Sequence, residues 1–127
     1  MNPDNLMAIS RDLQQAFDAK DIKKVLEYYH PDIVLISPSS PKPLIGIEAF
    51  REAVLRQFAS PQRTTVAIKE IKAYSIIDGV MAIICEIRGL QSIYYSSYEF
   101  NGFMTRIFLQ TPEGPRIINE HFSLLNE

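Results

Sequence analysis

Tryptophan is absent from the 127 residues, cysteine occurs once, as Cys85, and histidine twice, as His30 and His121. A lone cysteine forms no internal disulfide, so packing has to hold the chain together, which suits a reducing compartment. Two histidines in different elements, without ligand-pair spacing, supply no metal set, and no Gly-x-Ser-x-Gly elbow marks a serine nucleophile. No cofactor is therefore expected. No apolar run is long enough to span a bilayer. The segment MNPDNLMAISRDLQQ lacks a basic region followed by an apolar one, so no signal peptide is expected. A net charge of -2 gives no reason to expect nucleic acid or an acidic membrane surface as a partner. What remains is the expectation of a soluble cytoplasmic protein, folded as one domain over residues 1–127 and long enough to bury a core without crosslinks.

The apolar pattern sets out the elements. Leu6, Ile9, Leu13, Ala16 and Phe17 recur at spacings of three and four, which predicts a helix over 5–19, with Asp4 or Asn5 as its cap. Asp21 caps a short second helix with Ile22, Val25, Leu26 and Tyr29 inside, closed by His30-Pro31. IVLI at 33–36 reads as a strand, and the prolines of SPSSPKP as a loop. A third helix over 47–59 turns Ile47, Phe50, Val54 and Phe58 inward. From Thr64 onward the period changes to two. Strands are expected at 64–76, 80–88, 98–110 and 116–125, with turns at Asp78-Gly79 and TPEG, while 89–97 is an ambiguous tyrosine-rich bend. Helices followed by a run of strands indicate an α+β fold, with three N-terminal helices packed on one face of a strongly curved, mainly antiparallel sheet. Such a cone-shaped arrangement leaves a cavity between the layers, a usual place for a small ligand.

The closing hairpin, GFMTRIFLQTPEGPRIINEHFSLL, carries the candidate chemistry. Arg106 stands among Phe103, Met104, Ile107 and Phe108, and Glu120-His121 end the partner strand. Charges in apolar strands are costly to bury without partners. Alternation puts Ile118, Glu120 and Phe122 on one face and Asn119, His121 and Ser123 on the other, so Glu120 is placed to pair with Arg106 across the strands. Glu120 and His121 are the candidate acid–base groups. Read structurally, Arg106 and Glu120 are a cross-strand ion pair and His121 belongs to the outer sheet face. His30 suits the end of a helix. Cys85, among Ile83, Ile84 and Ile87, reads as an inert core thiol.

Three stretches together resemble the nuclear transport factor two-like superfamily, within it the SnoaL-like or ketosteroid-isomerase-homologue group. FDAKDIKKVLEYYHPDIVLISP is similar to the two-helix opening, LIGIEAFREAV to the entry of the third helix, and TRIFLQTPEGPRIINEHFS to the closing hairpin. The resemblance spans roughly residues 5–125. It departs at the tryptophan that many relatives carry after the last turn, near which Pro115 stands here. The resemblance implies a cystatin-like cone, a pocket and a homodimer through the outer sheet face. It also argues against ketosteroid isomerase activity. Ser37 falls at the general-base position and Leu13 at that of the oxyanion tyrosine, and the acid partner's position falls near Met104 to Arg106, a stretch without a carboxylate of its own. By likeness to the calcium/calmodulin-dependent protein kinase II association domain, Arg106 becomes a pocket arginine, although that family's second arginine falls at Phe122.

The expectation is a domain that binds a small organic molecule bearing a carboxylate or carbonyl. Its apolar cavity is lined by Phe17, Phe58, Tyr98, Met104 and Phe122, with Arg106 as the anchor. The alternatives are an enzyme of the polyketide cyclase, isomerase or dehydratase kind using Glu120 or His121, and a dimerisation or interaction module without catalysis. Fold alone does not choose among them.

Overall fold

The computed structural model describes residues 1–125. Its elements are α1 (Pro3–Asp18), α2 (Ile22–Glu27), β1 (Tyr29–Ile36), β2 (Leu44–Ile45), α3 (Ile47–Ala59), β3 (Arg63–Ile77), β4 (Val80–Ile93), β5 (Ser96–Thr111) and β6 (Gly114–Leu124). The strands form one curved, open six-stranded sheet in the order β2-β1-β6-β5-β4-β3. All neighbours are antiparallel except β1 and β6. The α+β class is as the sequence predicts. Among the described residues no helix is long and apolar enough to cross a membrane.

Both of the first two helices start on side-chain caps. Asn2 accepts the Asn5 N–H at 2.8 Å, with Pro3 in the first turn. The helix therefore begins two residues earlier than its apolar pattern suggests, because proline's fixed φ suits that turn and its missing N–H has no helical partner to lose. Asp21 caps α2 by accepting the Lys24 N–H at 3.1 Å, as expected.

The chain between α2 and α3 departs from the sequence reading. Tyr29 is not helical. It opens β1 opposite Ile117 of β6, while the Ile117 N–H donates to Tyr28 O at 2.8 Å. Pro31 forces extended backbone on His30, and the ladder is irregular between Tyr29 and Val34, where the proline's missing N–H can be tolerated. His30 is thus a strand residue whose Nδ1 accepts the Asp32 N–H at 3.0 Å. The segment 89–97 is also regular. β4 and β5 stay paired as far as Ile93 and Ser96, and Tyr94 turns the chain at φ +53°.

Leu6, Leu13, Val25, Ile33, Phe50, Val54, Ile83, Cys85, Met104, Phe108 and Ile117 are all buried in a core between the helices and the sheet. The inward residues of β4 are Ile83, Cys85 and Ile87, and those of β5 are Met104, Arg106 and Phe108. Gly102 lies so close to β6 that an added Cβ would stand 2.0 Å from the Ser123 carbonyl oxygen. This close approach is what lets β5 and β6 remain paired toward their far end.

Candidate functional site

Arg106 and Glu120 face each other in register on β5 and β6. The Arg106 Nε donates to Glu120 Oε1 at 2.5 Å. The Tyr29 hydroxyl, from β1, stands 3.1 Å from both Glu120 oxygens. Arg106 is 5 % exposed, Glu120 2 % and Tyr29 4 %. Three polar groups from three adjacent strands therefore meet inside an apolar core, where each depends on the others for solvation.

A β-bulge sets this arrangement. Ile107 is opposite Asn119 but Phe108 is opposite Ile117, so Ile118 is the extra residue on β6. Strict alternation expects Ile118 on the face of Glu120. The bulge instead buries Ile117 there, at 0 % exposure, and keeps Glu120 and Phe122 inward.

The cluster's environment shows in its protonation. Burial and then the charge of Glu120 push the Tyr29 phenol well above its ordinary value, so it keeps its proton and donates to the carboxylate. Burial by itself would lower the Arg106 guanidinium, but Glu120 and Tyr29 outweigh this and hold it above its usual range. Burial also raises the Cys85 thiol, against an opposing pull from Arg106. Cys85 is fully buried, with its sulfur 3.9 Å from that of Met7. Such a thiol is poorly suited to nucleophilic work.

Two buried side-chain atoms among the described residues have no hydrogen-bond partner, Arg106 Nη1 and Ser10 Oγ. Ser10 lies on the buried face of α1, one turn from Met7. Met7 touches Cys85, and Cys85 is opposite Met104 on the strand that carries Arg106.

The other sequence candidates are dispersed. Met104 is buried opposite Phe122, which is half-buried. Phe17 and Phe58, also half-buried, pair edge to face with ring centroids 6.1 Å apart at the ends of α1 and α3. Tyr98 is 58 % exposed and paired with Gln91 near the β4–β5 turn, away from the cluster. His121 is exposed, opposite Thr105 on the outer sheet face. Ser37 is half-buried and bonded to Ser39, and Leu13 is buried apolar core. Tyr29 and Ser10 were not legible as site residues. For Tyr29 the signal was Pro31, which moves the strand start back toward it. Ser10 interrupts the apolar face of α1 without any motif to mark it.

Two open grooves lie at the surface. One, of about 520 Å³, is lined by Tyr29, His30, Pro31, Leu109 and Arg116 among others. A second, of about 610 Å³, runs between Val66, Arg88, Glu99 and Phe100. Neither is lined by Arg106 or Glu120, although Tyr29 belongs both to the first groove and to the cluster.

Residues 6–127 match the sequence family described as SnoaL-like domain. No curated protein matches the chain. Among solved structures, the chain is similar to a ketosteroid isomerase-like protein from Erwinia carotovora atroseptica, with TM-score 0.82, 16 % identity and 95 % and 94 % of the two chains covered. It is similar to the β subunit of benzoate 1,2-dioxygenase from Burkholderia mallei, with TM-score 0.85, 18 % identity and coverage of 99 % and 92 %. A protein with a cystatin-like fold from Caulobacter vibrioides gives TM-score 0.79, 12 % identity and coverage of 97 % and 89 %. Identities this low speak for the shared fold alone.

Proposed function

Because the chain belongs to the SnoaL-like domain family, whose members differ in chemistry on one scaffold, we propose that it binds a small organic molecule with Arg106 as the polar anchor. One observation carries this reading. Arg106 is buried in an apolar core yet retains an unpartnered N–H at Nη1, and leaving a charged donor unused there is costly. Met104 and Phe122 supply apolar walls beside it, and Phe17 and Phe58 pack at the margin of the same core. Binding is favoured over acid–base catalysis by the state of Glu120. A general base has to reach its substrate, and Glu120 is 2 % exposed, with Oε1 paired to Arg106 Nε and the Tyr29 hydroxyl 3.1 Å from both oxygens. His121, on the outer face, has no access to Arg106.

A thermal-shift screen of small organic molecules tests this, followed by native mass spectrometry of each hit. At least one compound should raise the melting temperature in a concentration-dependent way. Arg106→Lys, which keeps the charge but loses the planar fork, should remove that shift. Hits that bind Arg106→Lys equally well would show that Arg106 is not the anchor.

A second reading, compatible with the first, concerns the outer sheet face. Val34, Ile36, Ile84, Phe103 and Ile107 lie on this face of β1, β4 and β5, with Phe103 40 % and Ile36 39 % exposed. Asn119 and His121 of β6 stand between the β1 residues and those of β5, and Lys72, Glu86 and Arg88 lie on the same face toward β3. A broad face that mixes exposed apolar and polar side chains in this way fits a second copy of the chain. Light scattering at micromolar concentration should report a dimer, and Phe103→Glu should report a folded monomer. A monomeric parent chain would remove this reading.

A further inference from the structure

We infer that the molecule held at this interior site is a neutral hydrogen-bond acceptor, a ketone, ester or amide carbonyl, rather than a carboxylate; this rests on the binding reading above. A bare buried guanidinium would select an anion, since its paired N–H groups match the two oxygens of a carboxylate. Arg106 is not bare. Its Nε is committed to Glu120, whose oxygens also take the Tyr29 hydroxyl. The cluster as a whole is one cation, one anion and one protonated phenol, so it carries no net charge.

A ligand carboxylate at Nη1 would add a second anion to an interior that already holds the Glu120 carboxylate, and Arg106 is the one buried cation among the described residues. Like charges brought together in a low-dielectric interior repel strongly. Of the groups that act on Arg106 besides Glu120, Tyr29 and Cys85 are both held in their neutral, protonated forms. A carbonyl oxygen meets none of these objections. It needs one donor, brings no charge, and leaves the Arg106–Glu120 pair intact. The unpartnered Nη1 of Arg106 supplies that donor.

Acetophenone and benzoate present the same ring with a ketone in one case and a carboxylate in the other. Each is titrated into the ¹⁵N-labelled protein at neutral pH, with the Arg106 side-chain Nε–H resonance as the readout. Acetophenone should move this resonance and bind at least about tenfold more tightly than benzoate. In Glu120→Gln, which keeps hydrogen-bonding capacity but removes the negative charge, the order should reverse. Benzoate binding the parent protein at Arg106 as tightly as acetophenone would overturn the inference while leaving the binding reading standing. If neither probe moves the resonance, the inference fails together with the Arg106 anchor. The comparison on the parent protein decides between these outcomes even if Glu120→Gln does not fold.

Discussion

Glu120→Ala is expected to destabilise the fold by about 3–5 kcal/mol, the usual cost of leaving one member of a buried ion pair without its partner. The guanidinium of Arg106 would keep its charge, because arginine does not deprotonate in proteins. It would then lack its carboxylate at a position only 5 % exposed, and the Tyr29 hydroxyl would lose its acceptor as well. Replacing both charges by apolar residues of similar length, as in Arg106→Met with Glu120→Leu, should recover most of the loss, since well-packed apolar pairs often match buried ion pairs in stability. Urea denaturation of the three proteins checks this. A Glu120→Ala midpoint close to that of the parent would mean that water reaches Arg106 and that the cluster is not dry. The double variant also separates two roles: it should fold and still fail to bind any compound held through Arg106. Single-site loss of activity alone cannot serve as evidence of catalysis here, because the same residues hold the strands together.

Phe108→Ala should cost about 3–5 kcal/mol through lost burial and the cavity left behind. Phe108 is the largest fully buried side chain, on the face of β5 that carries Arg106, opposite Met81 on β4 and Ile117 on β6. Ile117 is also where the bulge returns β6 to register, so the ring packs against the irregularity that aims Glu120 inward. Its removal should therefore lower stability and also loosen the ion pair, seen as broadening of the Arg106 Nε–H resonance. Phe108→Leu retains most of the apolar volume and should cost only about 1 kcal/mol. If Phe108→Ala unfolds at nearly the parent midpoint, the neighbouring side chains have collapsed into the space, and the core beside Arg106 is softer than its burial indicates.

Much of the fold was legible because its signals are local. The apolar stripe of Leu6, Leu13 and Ala16 marks α1, and that of Phe50 and Val54 marks α3. Asp78-Gly79 and Pro112-Glu113-Gly114 mark the turns, although only the glycines adopt positive φ, +80° at Gly79 and +114° at Gly114. The pairing of Arg106 with Glu120 was legible for the same reason. Two strands joined by a tight turn have a register that follows from counting, and a charge in an apolar strand calls for an opposite charge across from it. The tyrosine-rich bend was read poorly because its residues suit a strand or a loop equally, and the long ladder with β4 decided it.

By itself, then, the sequence determined the three helices, the long antiparallel strands and the cross-strand partner of Arg106. Each depends on periodicity or on neighbours within one hairpin. Only the tertiary structure decided that Tyr29 leaves the helix for β1, that a bulge buries Ile117 in place of Ile118, and that Ser10 and Arg106 each keep an unpartnered atom inside. The physical reason is distance along the chain. Tyr29 and Glu120 are 91 positions apart, and no local pattern encodes a contact that exists only after β1 has docked beside β6. The neutrality of the cluster, on which its choice of ligand rests, arises from that docking.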